Sequence, residues 1–316
     1  MASLNHAFSS LSARRRYEVW FLRLGLADGS GAWWFRYLLT NPGRGGCPGN
    51  SLGAPAQVWA TWFPAGGKAQ SFIQGFSCSE IETGLPESSF ALRIGNNAID
   101  ERSCYGALKV DGHQIAWNLQ YSSRFQVTLS NKGWIGFSRT PHSDAVFSGD
   151  VTLDGRTFRG DPLGFGLQGH NCGYRHRNFW FWTHACFPDK HGSISTLEAL
   201  LYEMPFGLIF RKAVLWHNQR HCQFRSLRTI ELERESMKWH FVCKARNGMV
   251  LKASINGASL SMHRLPYLKT DCSGTFEVAN TSFASASLLI EGPGVSELLE
   301  TSNGAVLEIA GDHFRV

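Results

Sequence analysis

The feature that most constrains this chain is a recurring unit: a short run of β-branched and aromatic residues, a tight-turn dipeptide, and a second such run. "EVWFLRLGLADGSGAWWFRYLL" (residues 18–39) turns at Asp28-Gly29-Ser30-Gly31, "YGALKVDGHQIAWNLQY" (105–121) at Asp111-Gly112, and "GDVTLDGRTFRG" (149–160) at Asp154-Gly155. Asp-Gly between alternating runs predicts a two-residue hairpin, because both central residues need a left-handed backbone that Gly and Asp tolerate. The second half has the same texture in "GLIFRKAVLWH", "KWHFVCKARNGMVLKASING", "GTFEVANTSFASASLLIEG" and "GAVLEIAGDHF", with Asn247-Gly248 and Asn303-Gly304 as further turn signals. Arg23 and Arg36, inside the first hairpin, read as the wet face of half-buried strands. The looser stretch from Asn131 to Val146 predicts a crossing between sheets. Helix is predicted only for a turn or two at Thr196–Met204 and at Val295–Ser302.

So many antiparallel strands in one sheet would leave long edges, so the sheet must close or divide. The glycine-rich "PLGFGLQG" (162–169) interrupts the strand texture and places the predicted boundary there, to within about ten residues. That reading gives an all-β chain: an arm at 1–17, then antiparallel barrel-like or sandwich-like domains at 18–163 and 164–316. A length of 316 residues suits two such bodies, and 43% hydrophobic with 18% charged residues gives each a core.

The net charge is +6, but the basic residues are scattered rather than striped, which argues against a nucleic-acid partner. It leaves room for contact with an anionic membrane surface. The first 17 residues contain no acid and no apolar segment of signal-peptide length, so they read as a flexible basic arm that allows peripheral membrane contact. The eight cysteines show no CxxC spacing, and they read as reduced thiols in a cytoplasmic protein. No apolar run approaches the roughly 20 residues of a spanning helix.

The chemistry concentrates in "GLQGHNCGYRHRNFWFWTHACF" (166–187). His170 with Cys172, and His184 with Cys186, are two apart and share a strand face, but zinc sites favour tighter sets and a tryptophan pair intervenes. No metal is expected. Nothing resembles a nucleophile elbow or a helix N-terminus that would activate Cys172 or Cys186, so both read as small buried hydrophobes. No phosphate-binding glycine loop occurs. What remains is an apolar pocket wall. Trp180, Trp182 and His184 fall on one face of an extended strand, and titratable groups set among aromatics are the general description of a ligand site.

These residues carry a resemblance. "IGNNAIDERSCYGAL" followed by "HQIAWNLQY", "GHNCGYRHRNFWFWTHACF", and "LPYLKTDCSGTFEVANTSFASASL" are similar to motifs of the superfamily containing hydroxyneurosporene synthase (a carotenoid 1,2-hydratase), tocopherol cyclase and AttH-like proteins. Cys172 stands where that family often has Trp, and Tyr202-Glu203 stands where a hydratase carries an aspartate near a tyrosine. The resemblance implies two lipocalin-like β-barrels and cofactor-free chemistry on an isoprenoid or polyene, by hydration or cyclisation, in a pocket near the domain junction. It implies a Brønsted acid among His170, Glu203 and Asp271. Tyr202 belongs to the same catalytic set, as a stabiliser of the developing cation together with Trp180 and Trp182. The expected substrate wall is Trp117, Asn118, Trp180, Trp182, His184 and Tyr267. The rival expectation is a lipid or isoprenoid carrier with a lipocalin-like cavity, which needs no acid inside it.

Overall fold

The computed structural model describes residues 4–5, 15–41, 54–83, 90–131, 136–257 and 262–311. Apart from two single-turn 3-10 segments, its regular structure is all strand. The first body opens with β1 (Arg16–Leu26), β2 (Gly31–Asn41), β3 (Ala56–Pro64) and β4 (Gln70–Phe76). It continues through β5 (Ile81–Thr83), β6 (Ala91–Ile94), β7 (Asn97–Asp100), β8 (Ser103–Val110), β9 (His113–Ser122) and β10 (Val127–Asn131), and closes with the long pair β11 (Gly136–Leu153) and β12 (Arg156–Gly173). All are antiparallel, in the order β4-β3-β2-β1-β12-β11-β9-β8-β7-β6-β5, with β10 also paired to β11.

The second body contains β13 (Trp180–Pro188), β14 (Ile194–Glu203), β15 (Ile209–His217), β16 (Arg220–Phe224) and β17 (Ser226–Glu233). Then follow β18 (Lys238–Lys244), β19 (Val250–Gly257), β20 (His263–Leu268), β21 (Thr275–Gly292) and β22 (Val295–Ala310). Their order is β16-β15-β14-β13-β22-β21-β19-β18-β17, with β20 beside β21. Each sheet curls around its own apolar core: Trp20, Trp33, Phe35, Trp117 and Phe147 in the first, Phe181, Trp239, Phe241 and Leu307 in the second.

The turn chemistry acts as written. Asp111 and Gly112 have φ of 51° and 84°, and Asp154 and Gly155 have 49° and 84°, so both hairpins close through two left-handed residues. Asp28 Oδ1 accepts a hydrogen bond from the Ser30 amide inside the first turn. Asn303-Gly304, however, is no turn. It lies within β22, where Ala284 pairs with Ala305 and Ala286 with Thr301, so residues 302–304 bulge out of the ladder. The two predicted helical turns are also strand: Thr196–Glu203 lies in β14 and Val295–Ser302 in β22. β14 is paired on both sides, by β13 and β15, and those ladders override the helix-favouring composition. Of the stretch predicted to cross between sheets, residues 136–146 run straight into β11.

Pro162–Gly169 is not a break between sheets but the middle of β12, and the chain passes to the second sheet at residues 174–179. The glycines are there for contact. A Cβ on Gly164 would lie 2.0 Å from the Gly25 carbonyl oxygen, and one on Gly166 only 1.7 Å from that of Arg23. β12 therefore approaches β1 too closely for side chains at those positions.

The two sheets pack through faces expected from the sequence to be solvated. β8 and β9 do alternate buried and exposed, but β1 and β2 are buried along nearly their whole length. Val19, Phe21, Trp34 and Leu38 leave the first core behind and meet Trp182, Leu200, Tyr202 and Val306 of the second sheet. Arg23 and Arg36 share that hidden face and are 1% and 4% exposed. Arg23 crosses to the second sheet, donating from Nε and Nη2 to the Ser282 carbonyl and from Nη2 to that of Asn303, which the bulge presents. Nη1 donates to the Phe165 carbonyl in its own sheet. Burial pushes its guanidinium down to about 10.

Two further expectations change. Most of the basic arm lies outside the described residues, but Leu4 and Asn5 dock in the first body. Asn5 is fully buried and exchanges side-chain hydrogen bonds with Gln168, and its carbonyl accepts from Trp20. Six described cysteines are free thiols, whereas Cys272 is disulfide-bonded, which removes uniformly reduced thiols as a ground for a cytoplasmic setting. Among the described residues no helix is long and apolar enough to cross a membrane.

Candidate functional site

Beside the 174–179 linker, between the two sheets, lies a cavity of about 130 Å³. β1 and β2 contribute Tyr17, Val19, Phe21, Trp34 and Arg36 to its wall. The second sheet contributes Trp180, Trp182, Leu200, Tyr202, Tyr267 and Glu308. Strand parity explains the selection. Phe179 and Phe181 turn into the second core, so Trp180 and Trp182 must turn towards the first sheet. Trp182 meets Phe21 and Trp34 edge to face, with ring centroids 5.7 and 5.9 Å apart.

Glu308 is the one carboxyl among the described residues lining the cavity. Its Oε1 accepts from Trp180 Nε1 at 2.7 Å, and its Oε2 accepts from the Tyr267 hydroxyl at 2.8 Å and Asn280 Nδ2 at 3.2 Å. The Tyr202 hydroxyl shares a 3.0 Å hydrogen bond with the Ser130 hydroxyl. Arg36 spreads its guanidinium over the rings of Tyr267 and Trp59, 4.1 and 4.6 Å from their centroids. His176 stacks on Tyr17 at 4.0 Å, and burial together with the Arg36 charge pushes its imidazole down to about 3, so it is neutral at physiological pH.

One step further along the same face of β14 from Leu200 and Tyr202 lies Glu198, behind Trp182. Its Oε1 accepts from Trp182 Nε1 at 3.0 Å and from the Thr140 hydroxyl at 2.8 Å, while Oε2 has no hydrogen-bond partner. Burial pushes this carboxyl up to about 7 against those two donors.

Of the residues singled out from sequence, Trp180, Trp182, Tyr202 and Tyr267 come together at the cavity. Cys172 also lines it, and the other expected site residues do not reach it. His170 lies inside the first body, stacked on Trp20, with Nδ1 donating to the Leu4 carbonyl and Nε2 facing the Glu18 carboxyl at 2.9 Å. Trp117 is in the first core, donating to the Tyr37 hydroxyl, and Asn118 is exposed on the outer face of β9. His184 is buried between the sheets, where Nε2 donates to the Ser143 carbonyl and burial pushes the ring down to about 3. Glu203 sits beside the surface residue Asn178. Asp271 is an exposed turn residue whose carboxyl is held low by the Ser273 side chain and amide. Neither carboxyl lines the pocket, where the carboxyl present is that of Glu308.

Arg36, Glu198 and Glu308 are the residues that sequence reasoning missed. Each is a single charge inside an otherwise largely apolar run: "AWWFRYLL", "STLEALLY" and "GAVLEIAG". In a strand apolar on both faces, a lone charge marks a buried polar site rather than a solvated face. Among the described residues no cluster of three or more His, Cys, Asp or Glu side chains could hold a metal ion.

No protein-family model matches the sequence, and no curated protein sequence matches it. Solved structures do match its fold. CghA in complex with Sch210972 superposes with a TM-score of 0.66 at 10% identity, over 94% of this chain and 88% of that one. Kievitone hydratase from Nectria haematococca gives 0.54 at 11% identity, over 98% and 95%. An AttH-like protein from Nitrosomonas europaea gives 0.54 at 11% identity, over 97% of both chains. At so low an identity the likeness is one of fold alone.

Proposed function

We propose that the chain is a cofactor-independent enzyme that hydrates or cyclises a hydrophobic, alkene-bearing isoprenoid or polyene in the cavity between the two sheets. The observation that carries this reading is a carboxyl, Glu308, set into a wall of aromatic side chains at that cavity. A carrier needs only the apolar wall, so a carboxyl held by Trp180, Tyr267 and Asn280 favours chemistry over storage. Two proteins of like fold, one named a hydratase and one solved with Sch210972, support the same reading by analogy of fold.

Hydration of an alkene places a proton on one carbon and the hydroxyl of water on the other. In its protonated form Glu308 gives the proton, forming the C–H bond as the π bond breaks. As the carboxylate it then takes the proton that water loses on attacking the cation. Trp180, Trp182 and Tyr202 present π faces to the cation, each stabilising it by about 1–2 kcal/mol when water is excluded. Cyclisation uses the same wall, with an internal alkene or hydroxyl replacing water and the fold holding the reacting carbons together. The partner is thus a hydrophobic small molecule and not a nucleic acid.

The test is turnover of a panel of prenylated phenols and linear polyenes, read by mass spectrometry. A product heavier by one water, or an isomer of equal mass, is expected from the parent protein. It should be lost in Glu308→Gln while binding of trans-parinaric acid persists, and Trp182→Ala should weaken that binding. Binding without turnover, unaffected by Glu308→Gln, would leave the carrier reading and refute the enzymatic one.

A further inference from the structure

Both buried arginines of the first hairpin face the second sheet, but only one is accounted for by the fold. Arg23 has its nitrogens on three backbone carbonyls and serves the packing of the sheets. Arg36 is 4% exposed and lines the cavity, and its Nη1 has no hydrogen-bond partner. A buried charged donor left unpaired is unfavourable, and hydrogen bonds to charged groups are among the strong ones when they form. The group is also fixed in place: the rings of Trp59 and Tyr267 hold its plane, so little freedom is lost when an acceptor arrives.

The rest of the wall points the same way. Arg175 and Arg177 line the cavity with Arg36, against the single carboxyl of Glu308. Glu308 is engaged by three donors of its own, and Tyr267 stands between Arg36 and Glu308, with its ring under the guanidinium and its hydroxyl on Glu308 Oε2. Much of the remaining wall is hydrocarbon: Phe21, Trp34, Trp182 and Leu200.

We propose that the ligand is amphipathic, a hydrocarbon body carrying one acidic oxygen (carboxylate, enolate or phenolate) that binds the guanidinium of Arg36, an inference that rests on the cavity being the substrate site. The acidic end then lies at Arg36 and the apolar body runs along the aromatic wall. Arg36 thereby selects ionised polyenes and prenylated acids or phenols over plain hydrocarbons, and fixes which end of the molecule enters first.

The experiment is a fluorescence titration of the parent protein with trans-parinaric acid and with its methyl ester, which share the polyene and differ in the charge. The acid should bind at least about tenfold more tightly. Arg36→Gln should bring the acid to the affinity of the ester, and Arg36→Lys should restore part of the preference. Equal affinity for acid and ester in the parent protein would overturn this inference and leave the enzymatic reading standing. A preference that survives in Arg36→Gln would likewise overturn it. Failure of both probes to bind would overturn the inference and remove the cavity as a ligand site. The comparison in the parent protein holds even if a variant fails to fold.

Discussion

Glu198→Gln is the sharpest physical test of the packing between the sheets. A glutamate ordinarily ionises near 4.5, and in the fold burial has pushed this one up to about 7. Between those values the unfolded chain has released a proton that the folded chain keeps, so raising the pH favours unfolding. The slope for one proton is about 1.36 kcal/mol per pH unit. Across the window Glu198 therefore withdraws about 3 kcal/mol, absent below pH 4.5 and complete above pH 7. His176 and His184 act in the opposite sense. Their imidazoles fall from 6.5 to about 3, so the unfolded chain takes up protons in that range and stability rises with pH.

Those histidines are common to both proteins and cancel in the difference. Glutamine keeps an acceptor for Trp182 and Thr140 but cannot ionise, and its unpartnered amide adds a cost that does not vary with pH. Urea unfolding from about pH 4.5 to about pH 7.5, followed by tryptophan fluorescence and far-ultraviolet circular dichroism, measures the difference and exposes any stepwise unfolding. The expected result is that the variant gains about 3 kcal/mol on the parent as the pH rises through the window. Two stability curves separated by a constant offset would refute the argument, because they would mean that Glu198 is ionised throughout.

The other two stability tests concern contacts between strands. Arg23→Met removes the donors of the Ser282 and Asn303 carbonyls across the interface, and urea unfolding should show a loss of about 3 kcal/mol; an unchanged midpoint would mean that the guanidinium is not holding the sheets. Gly166→Ala forces a methyl group to within 1.7 Å of the Arg23 carbonyl oxygen and should lower stability by more than about 2 kcal/mol. Gly292→Ala, whose nearest neighbour would be 3.8 Å away, should be tolerated, and equal melting of the two variants would sink the close-approach explanation.

The all-β architecture and most of the hairpins were legible in the sequence because they depend on neighbours in the chain. Alternation sets strand character over a few residues, and Asp-Gly closes a two-residue turn through its own backbone preferences. Local signals misled wherever the deciding partner was distant. Pro162–Gly169 looks like a linker because its glycines carry no side chains, yet they are required by β1, more than a hundred residues earlier. Asn303-Gly304 looks like a turn, but the flanking pairs Ala284–Ala305 and Ala286–Thr301 hold it as a bulge. Arg36 looks like the mark of a wet face, and only the second sheet, packing across that face, makes it a buried charge beside a cavity. The site is legible in part for the same reason. Trp180 and Trp182 announce an aromatic wall by parity alone, whereas Glu308 and Arg36, 272 positions apart in the chain, come to line one cavity only where the two sheets meet. Which polar groups lose their water is a property of the docked sheets, and no stretch of sequence contains it.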